Sequence, residues 1–291
     1  MAVAYGSSAS AVGENSDTVV ITKPSSLAAG DMMIAFVLAR SGTASWSAPA
    51  GWTSKGTVSI SNNRFACFVK VATSGDAAAS NFTFSGAGAS TESSGFIIRL
   101  TGSFTDDSNV TGTASASDAT ADTGDVFVFS TSLTPLADQF LVICCGAEAT
   151  NASSTTAATA SIANSSPTFT SRVFQSQPNG DDNLVVGLTG SRASATAIGD
   201  TTVDFDSTGN LTNAGVIVLA IHETSNASVS PAVVDLVSAV QAPSVTGDAS
   251  ISPSVVTMTG AVQAPTVTAG TAKWVNTDKS SAGSITNTDK S

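Results

Sequence analysis

The stretch Met32-Met33-Ile34-Ala35-Phe36-Val37-Leu38 decides the fold class. It is a short, uninterrupted apolar run bounded by turn residues. A strand with one wet face alternates apolar and polar side chains. A strand that is apolar on both sides of its pleat must be covered on both faces. Similar runs recur along the chain: Arg64 to Val71, Gly95-Phe96-Ile97-Ile98-Arg99-Leu100, Phe140 to Cys145, Asn183 to Leu188 and Gly215 to Ile221. Others are one-sided. Phe82 and Phe84, separated by Thr83, show a period of two, and Thr18 to Thr22 and Asp125 to Ser130 are further short β-type runs. No stretch of ten residues or more carries a convincing helical period.

The composition agrees with strands. Hydrophobic residues make up 42% of the 291, enough for a buried core, while charged residues make up only 11%. The surface must then be largely Ser, Thr, Asn and Gly, which suits β-strands better than helices. The formal net charge of −11 leaves few cations to neutralise phosphates, so nucleic-acid binding is not expected. No run approaches the length of a membrane-spanning helix, and the first residues lack the basic and apolar regions of a signal peptide.

An internal repeat organises the first 224 residues. Ala28–Ala35 aligns with Leu136–Ile143, Gly51–Lys55 with Thr168–Arg172, and Gly95–Ile98 with Gly215–Val218. The expected architecture is all-β: two tandem jelly-roll-like β-sandwiches, residues 1–112 and 113–224, followed by an extended repetitive C-terminal arm. In the arm, Val229–Ser250 and Ile251–Ala272 are two copies of one 22-residue unit with 11 identical positions. Pro231 and Pro243 punctuate the first copy, Pro253 and Pro265 the second. Prolines at this spacing exclude a continuous helix or a central strand. Residues 225–272 therefore read as extended segments, and residues 273–291 as a tail in which Asn-Thr-Asp-Lys-Ser recurs.

Chemistry-bearing residues are sparse. His222 is the sole histidine, at a strand end, and no Ser-His-Asp set or zinc site is legible around it. Cys67, Cys144 and Cys145 lie in apolar runs and read as small buried hydrophobes, made in a reducing cytoplasm. Asp106-Asp107, Asp181-Asp182 and Asp204-Phe205-Asp206 fall in or beside loops. Asp204 and Asp206 resemble the start of a calcium loop without its closing Glu, so solvated turn residues and a Ca²⁺ site are both open readings. Trp46 and Trp52 flank a Pro-Gly turn. They would either plug the end of a sandwich or form an aromatic ligand platform. Trp274 has nothing nearby to bury it and reads, with the four prolines, as an anchor on another subunit.

The block Ile21 to Ala35, followed by Ala48-Pro49-Ala50-Gly51-Trp52-Thr53, Phe68-Val69-Lys70-Val71-Ala72 and Asn81-Phe82-Thr83-Phe84-Ser85, resembles a β-sandwich module of virion-associated proteins of tailed bacteriophages. The resemblance covers roughly the first 100 residues and fits the second repeat loosely. The Ser-Pro and Ala-Pro repeats and the Trp-x-Asn-x-x-Lys-Ser tail also look like C-terminal extensions of phage structural proteins. The resemblance implies a non-enzymatic surface component of a virion, such as a capsid decoration, fibre or tail appendage. Its partners would be other virion proteins and further copies of itself, with a trimer as the guess. The alternative is a carbohydrate-recognising receptor-binding or adhesin module that binds a host surface glycan.

Overall fold

The apolar runs form strands, and the described residues are all-β apart from one helical turn (α1, Ser74–Ala78) and one 3-10 turn (Asp107–Asn109). The computed structural model describes residues 3–88, 91–120, 125–134, 138–150, 158–163, 168–176, 181–192, 197–205 and 210–223. These all belong to one compact unit spanning residues 1–229.

The first half contributes β1 (Ala4–Gly13), β2 (Thr18–Thr22), β3 (Met32–Arg40), β4 (Thr53–Ile60), β5 (Asn63–Val71), β6 (Asn81–Ser85) and β7 (Ser93–Thr101). The second contributes β8 (Val110–Thr120), β9 (Val126–Phe129), β10 (Gln139–Thr150), β11 (Ala158–Ile162), β12 (Thr170–Ser176), β13 (Asp181–Arg192), β14 (Thr201–Phe205) and β15 (Asn210–Ile221). The border read at residues 112 and 113 falls within β8, which pairs with β15.

Four antiparallel sheets result. The order β1-β7-β3-β5-β4 in one five-stranded sheet is matched by β8-β15-β10-β13-β12 in the other. The small sheet β2-β6 is matched by β9-β14, to which β11 is added. Every pairing of the first half thus recurs in the second. The register agrees as well. Ala35 opposes Phe68 and Ile97, and Ile143 opposes Leu188 and Val218. This is the Ala35–Ile143 equivalence read from the sequence. The Gly95–Gly215 equivalence is one residue out. By register Gly95 corresponds to Val216, and the two glycines face opposite sides of their sheets. A Cβ on Gly95 would meet Ile21 of the small sheet, whereas one on Gly215 would meet the Phe65 ring. A slip of one residue exchanges the faces of a strand, so shared glycines alone do not fix register.

The sheets stack in four layers, more than the usual two or three. Between β2–β6 and its five-stranded sheet lie Val19, Ile21, Met33, Ala35, Phe68, Phe84 and Ile97. Phe127, Phe129, Leu141, Ile143, Val203 and Phe205 fill the corresponding space in the second half. The third core joins the halves. Met32, Ile34, Phe36, Phe65, Cys67, Phe96 and Ile98 from one large sheet pack on Phe140, Val142, Cys144, Val185, Ile217 and Leu219 from the other. This explains why β3 and β10 are apolar on both faces: each has its own small sheet on one side and the opposite half on the other. The halves meet reciprocally, with β4 against β8 and β12 against β1.

Candidate functional site

At one end of the central core the apolar filling gives way to polar side chains. The register makes Asn63 on β5 equivalent to Asn183 on β13, and Arg40 at the end of β3 equivalent to Glu148 near the end of β10. Asn63 and Asn183 are fully buried. Asn63 Nδ2 donates to the carbonyl of Asn213 at 3.3 Å, and Asn183 Nδ2 donates to the carbonyl of Glu92 at 3.1 Å. Glu92 and Asn213 are themselves equivalent positions just before the β7 core and the β15 core. Asn63 Nδ2 and Asn213 Nδ2 also donate to Glu148 Oε2, at 3.3 and 2.8 Å. Arg40 Nε closes the cluster on Glu148 Oε1 at 3.0 Å. The equivalent positions Arg40 and Glu148 therefore carry opposite charges and bond to each other across the seam. Two buried oxygens, Asn63 Oδ1 and Asn183 Oδ1, have no donor among the described residues. Chemically the cluster fastens: it holds the two sheets in one register, because sliding them would leave buried amides and a carboxylate unpaired.

A second pair of fasteners lies at the sheet edges. The aligned segments Thr53-Ser54-Lys55 and Thr170-Ser171-Arg172 both carry a β-bulge, with Lys55 and Arg172 as the extra residues. Lys55 Nζ donates to the carbonyl and the Oδ2 of Asp107, at 2.9 and 2.8 Å, just before β8. This holds the Asp107 carboxyl below its ordinary range. The Arg172 guanidinium sits 4.5 Å from the centre of the Tyr5 ring on β1, and its carbonyl accepts from Ser8 Oγ at 2.9 Å. Each half thus extends a bulge cation toward the edge strand of the other.

The residues singled out from the sequence fall as follows. Trp52 is half-buried, edge-on to Phe82 and Phe84 at 5.6 and 5.4 Å, and packs on the first outer core. Trp46 packs on the same core and donates its Nε1 to the Arg64 carbonyl at 3.1 Å. Both indoles close the open side of the first half beside β6, where Ser47 bridges to Ser85. Asp204 is exposed on β14, opposite Val126. Asp206, its partner in the calcium reading, lies outside the described residues, as do Pro231, Pro243, Pro253, Pro265 and Trp274. Among the described residues no three His, Cys, Asp or Glu side chains converge as a metal site would require. Asp106 caps the 3-10 turn by accepting from Ser108 N at 2.8 Å, and hydrogen bonds from the Ser108 side chain and backbone together hold its carboxyl low. His222 follows β15, and Asn109 grips its backbone, accepting from its N–H and donating to its carbonyl, each at 2.9 Å. Cys67, Cys144 and Cys145 are buried free thiols. Burial pushes the thiols of Cys144 and Cys145 upward, and for Cys144 the adjacent Cys67 adds to the effect.

Sequence reading missed the polar seam. Its signal was present as polar residues terminating apolar runs: Arg40 after Met32–Ala39, Glu148 after Phe140–Ala147, Asn183 before Leu184–Leu188, and Asn63 with Arg64 before Phe65–Val69.

The fold and seam define the class as an all-β protein of two sandwich-like halves joined through a common apolar core. No family model, curated protein or solved structure matches the chain.

Proposed function

We propose that the chain is a non-enzymatic surface component of a virion, with residues 1–223 as its displayed body and residues 225–291 as the arm that attaches or oligomerises it. The observation that carries this reading is the use the body makes of its charged groups. Arg40–Glu148, Lys55–Asp107, Lys70–Asp76 and Arg99–Asp31 each tie one loop or layer of the body to another. Such groups brace a scaffold, and none of these pairs presents an acid and a nucleophile to a common point. The low charge, the Ser/Thr-rich surface and the resemblance of residues 21–85 to phage virion modules support the same reading.

The test is location. Antibody labelling or a cryo-EM map of purified particles should place the polypeptide on the virion surface. Deleting residues 225–291 should leave a folded body that no longer incorporates. Absence from purified particles, or normal incorporation of the truncated chain, overturns the reading or its anchoring part respectively.

A further inference from the structure

We propose that Cys67 and Cys144 form a latent disulfide site, at which a low-molecular-weight disulfide oxidant locks the two halves of the body to each other. The inference concerns the body alone and holds whether or not that body is displayed on a virion.

Strand β5 of the first half and strand β10 of the second face each other across the shared core. Their contacts keep one antiparallel register. Asn63 Nδ2 on β5 donates to Glu148 Oε2 on β10 at 3.3 Å. Two residues further along β5, the Phe65 ring lies 3.0 Å from where a Cβ on Gly146 would stand. Gly146 is two residues back along β10. The next step in the same register pairs Cys67 with Cys144. Both side chains are buried in the shared core, and Cys67 is near enough to bear on the protonation of the Cys144 thiol.

The two strands also approach closely. Stacked sheets usually lie about 10 Å apart. β5 and β10 bring Cα atoms within 8 Å of each other. Gly146 and the two small cysteines leave room for that approach. A disulfide spans Cα separations of up to about 7 Å, so the movement that closes the bond is small. Cys145 supplies the contrast. One residue on along the pleat, it turns to the outer core of the second half, which holds no other cysteine. The three free thiols are thus one facing pair and one isolated group.

The exchange balances as follows. One protein thiol, deprotonated, attacks the S–S bond of an oxidant such as oxidised glutathione. A mixed disulfide forms and one molecule of the oxidant's thiol leaves. The second protein thiolate attacks the protein sulfur of the mixed disulfide, forms the Cys67–Cys144 bond and expels the second thiol. The cysteine pair gives up two electrons and two protons, and the oxidant gains both. Cys67 and Cys144 are fully buried, so the exchange takes place as the seam opens or as the chain folds. The same burial then shields the bond from reductants. The bond joins residues of different halves, where apolar packing and hydrogen bonds otherwise hold the seam, and it opposes their separation on unfolding.

The full-length chain, purified in reductant, tests this. It is held with oxidised glutathione in urea just below its unfolding transition, alkylated in full denaturant, digested and sequenced by mass spectrometry. A peptide linked through Cys67 and Cys144 should appear, with Cys145 alkylated. After removal of urea the oxidised chain should keep the circular dichroism of the reduced chain and unfold at a higher urea midpoint. Reductant added in denaturant should abolish that difference. Cys145→Ala should preserve the linkage and the shift in midpoint, and Cys67→Ala or Cys144→Ala should abolish both. The linkage itself is read on the parent chain and does not depend on any variant folding. Absence of the linked peptide, linkage of Cys67 to Cys145, linkage between two chains, or a linked chain that unfolds no later than the reduced one overturns the proposal.

Discussion

Asn63 and Asn183 stand at equivalent places in β5 and β13, and each donates its side-chain amide to a backbone carbonyl of the opposite half, that of Asn213 or Glu92. Two halves with little sequence identity thus preserve one reciprocal device at their seam. Asn63→Ala or Asn183→Ala removes a buried donor and leaves its carbonyl partner without that bond. Each should cost about 1–3 kcal/mol in chemical denaturation, with the midpoint shifted and the slope unchanged.

Phe65 lies in the core shared by the halves, and its ring fills the space left by Gly146 and Gly215 of the second half. Phe65→Ala should destabilise by about 3–5 kcal/mol. Because the core is common, unfolding of residues 1–223 should remain one transition by both fluorescence and circular dichroism; two separated transitions would contradict a shared core. Gly215→Val, whose Cβ would lie 2.7 Å from the Phe65 ring, should cost about 1–3 kcal/mol alone. In the background of Phe65→Ala the added valine has room. The double variant should then lose less than the sum of the two single losses, a coupling readable in a double-mutant cycle.

Asp76 is held by α1 and its surroundings. Its burial opposes ionisation, but the hydrogen bonds from Lys70 and Thr73 prevail and lower its carboxyl below the ordinary value of 3.8. A carboxyl depressed in the folded state stabilises above its unfolded pKa. That stability is lost as pH falls through 3.8 and below the folded value. Asp76→Asn should therefore flatten the acid limb of the stability–pH curve below pH 4, by at most about 1.4 kcal/mol per pH unit for one proton. Above pH 5 the variant should be less stable than the parent by a constant amount, measured by denaturant midpoints.

Trp52 contacts Phe82 and Phe84 edge-on and supports the outer core of the first half. Trp52→Ala should cost about 3 kcal/mol in thermal unfolding. A glycan array showing tight binding abolished by this substitution, with stability unchanged, would favour the aromatic platform over the plug.

Cys67, Cys144 and Cys145 are fully enclosed, and burial keeps the thiols of Cys144 and Cys145 protonated. An aromatic disulfide reagent at pH 8 should titrate none of the three in the native protein and all three in denaturant. Fast native modification would show that the central core opens readily.

The all-β class was legible because strands buried on both faces leave a signature in a single run: Met32–Ala39 and Phe140–Cys145 have no polar alternation. The repeat was legible at Ala35–Ile143 and Lys55–Arg172, where turn, apolar strand and bulge cation recur in order. Asn63, Asn183, Arg40 and Glu148 were not legible as a cluster. Their partners are distant in sequence, and a polar residue at the end of an apolar run reads as an ordinary strand terminus. The Gly95–Gly215 equivalence misled because identity at one position does not report which face of the pleat a residue occupies.

The sequence by itself determined that the central strands β3 and β10 would be covered on both faces, since side-chain alternation is a local consequence of the pleat. It also determined the order of the body's repeated elements, though not the border between the halves, since the one read at residues 112 and 113 falls within β8. Only the tertiary structure decided what covers the second face. An apolar strand is satisfied by any apolar surface, so its composition records burial without naming the partner. The partner is the other half of the same chain. Its register is set by Asn63, Asn183, Arg40 and Glu148, whose hydrogen bonds, unlike apolar contacts, are satisfied in one arrangement.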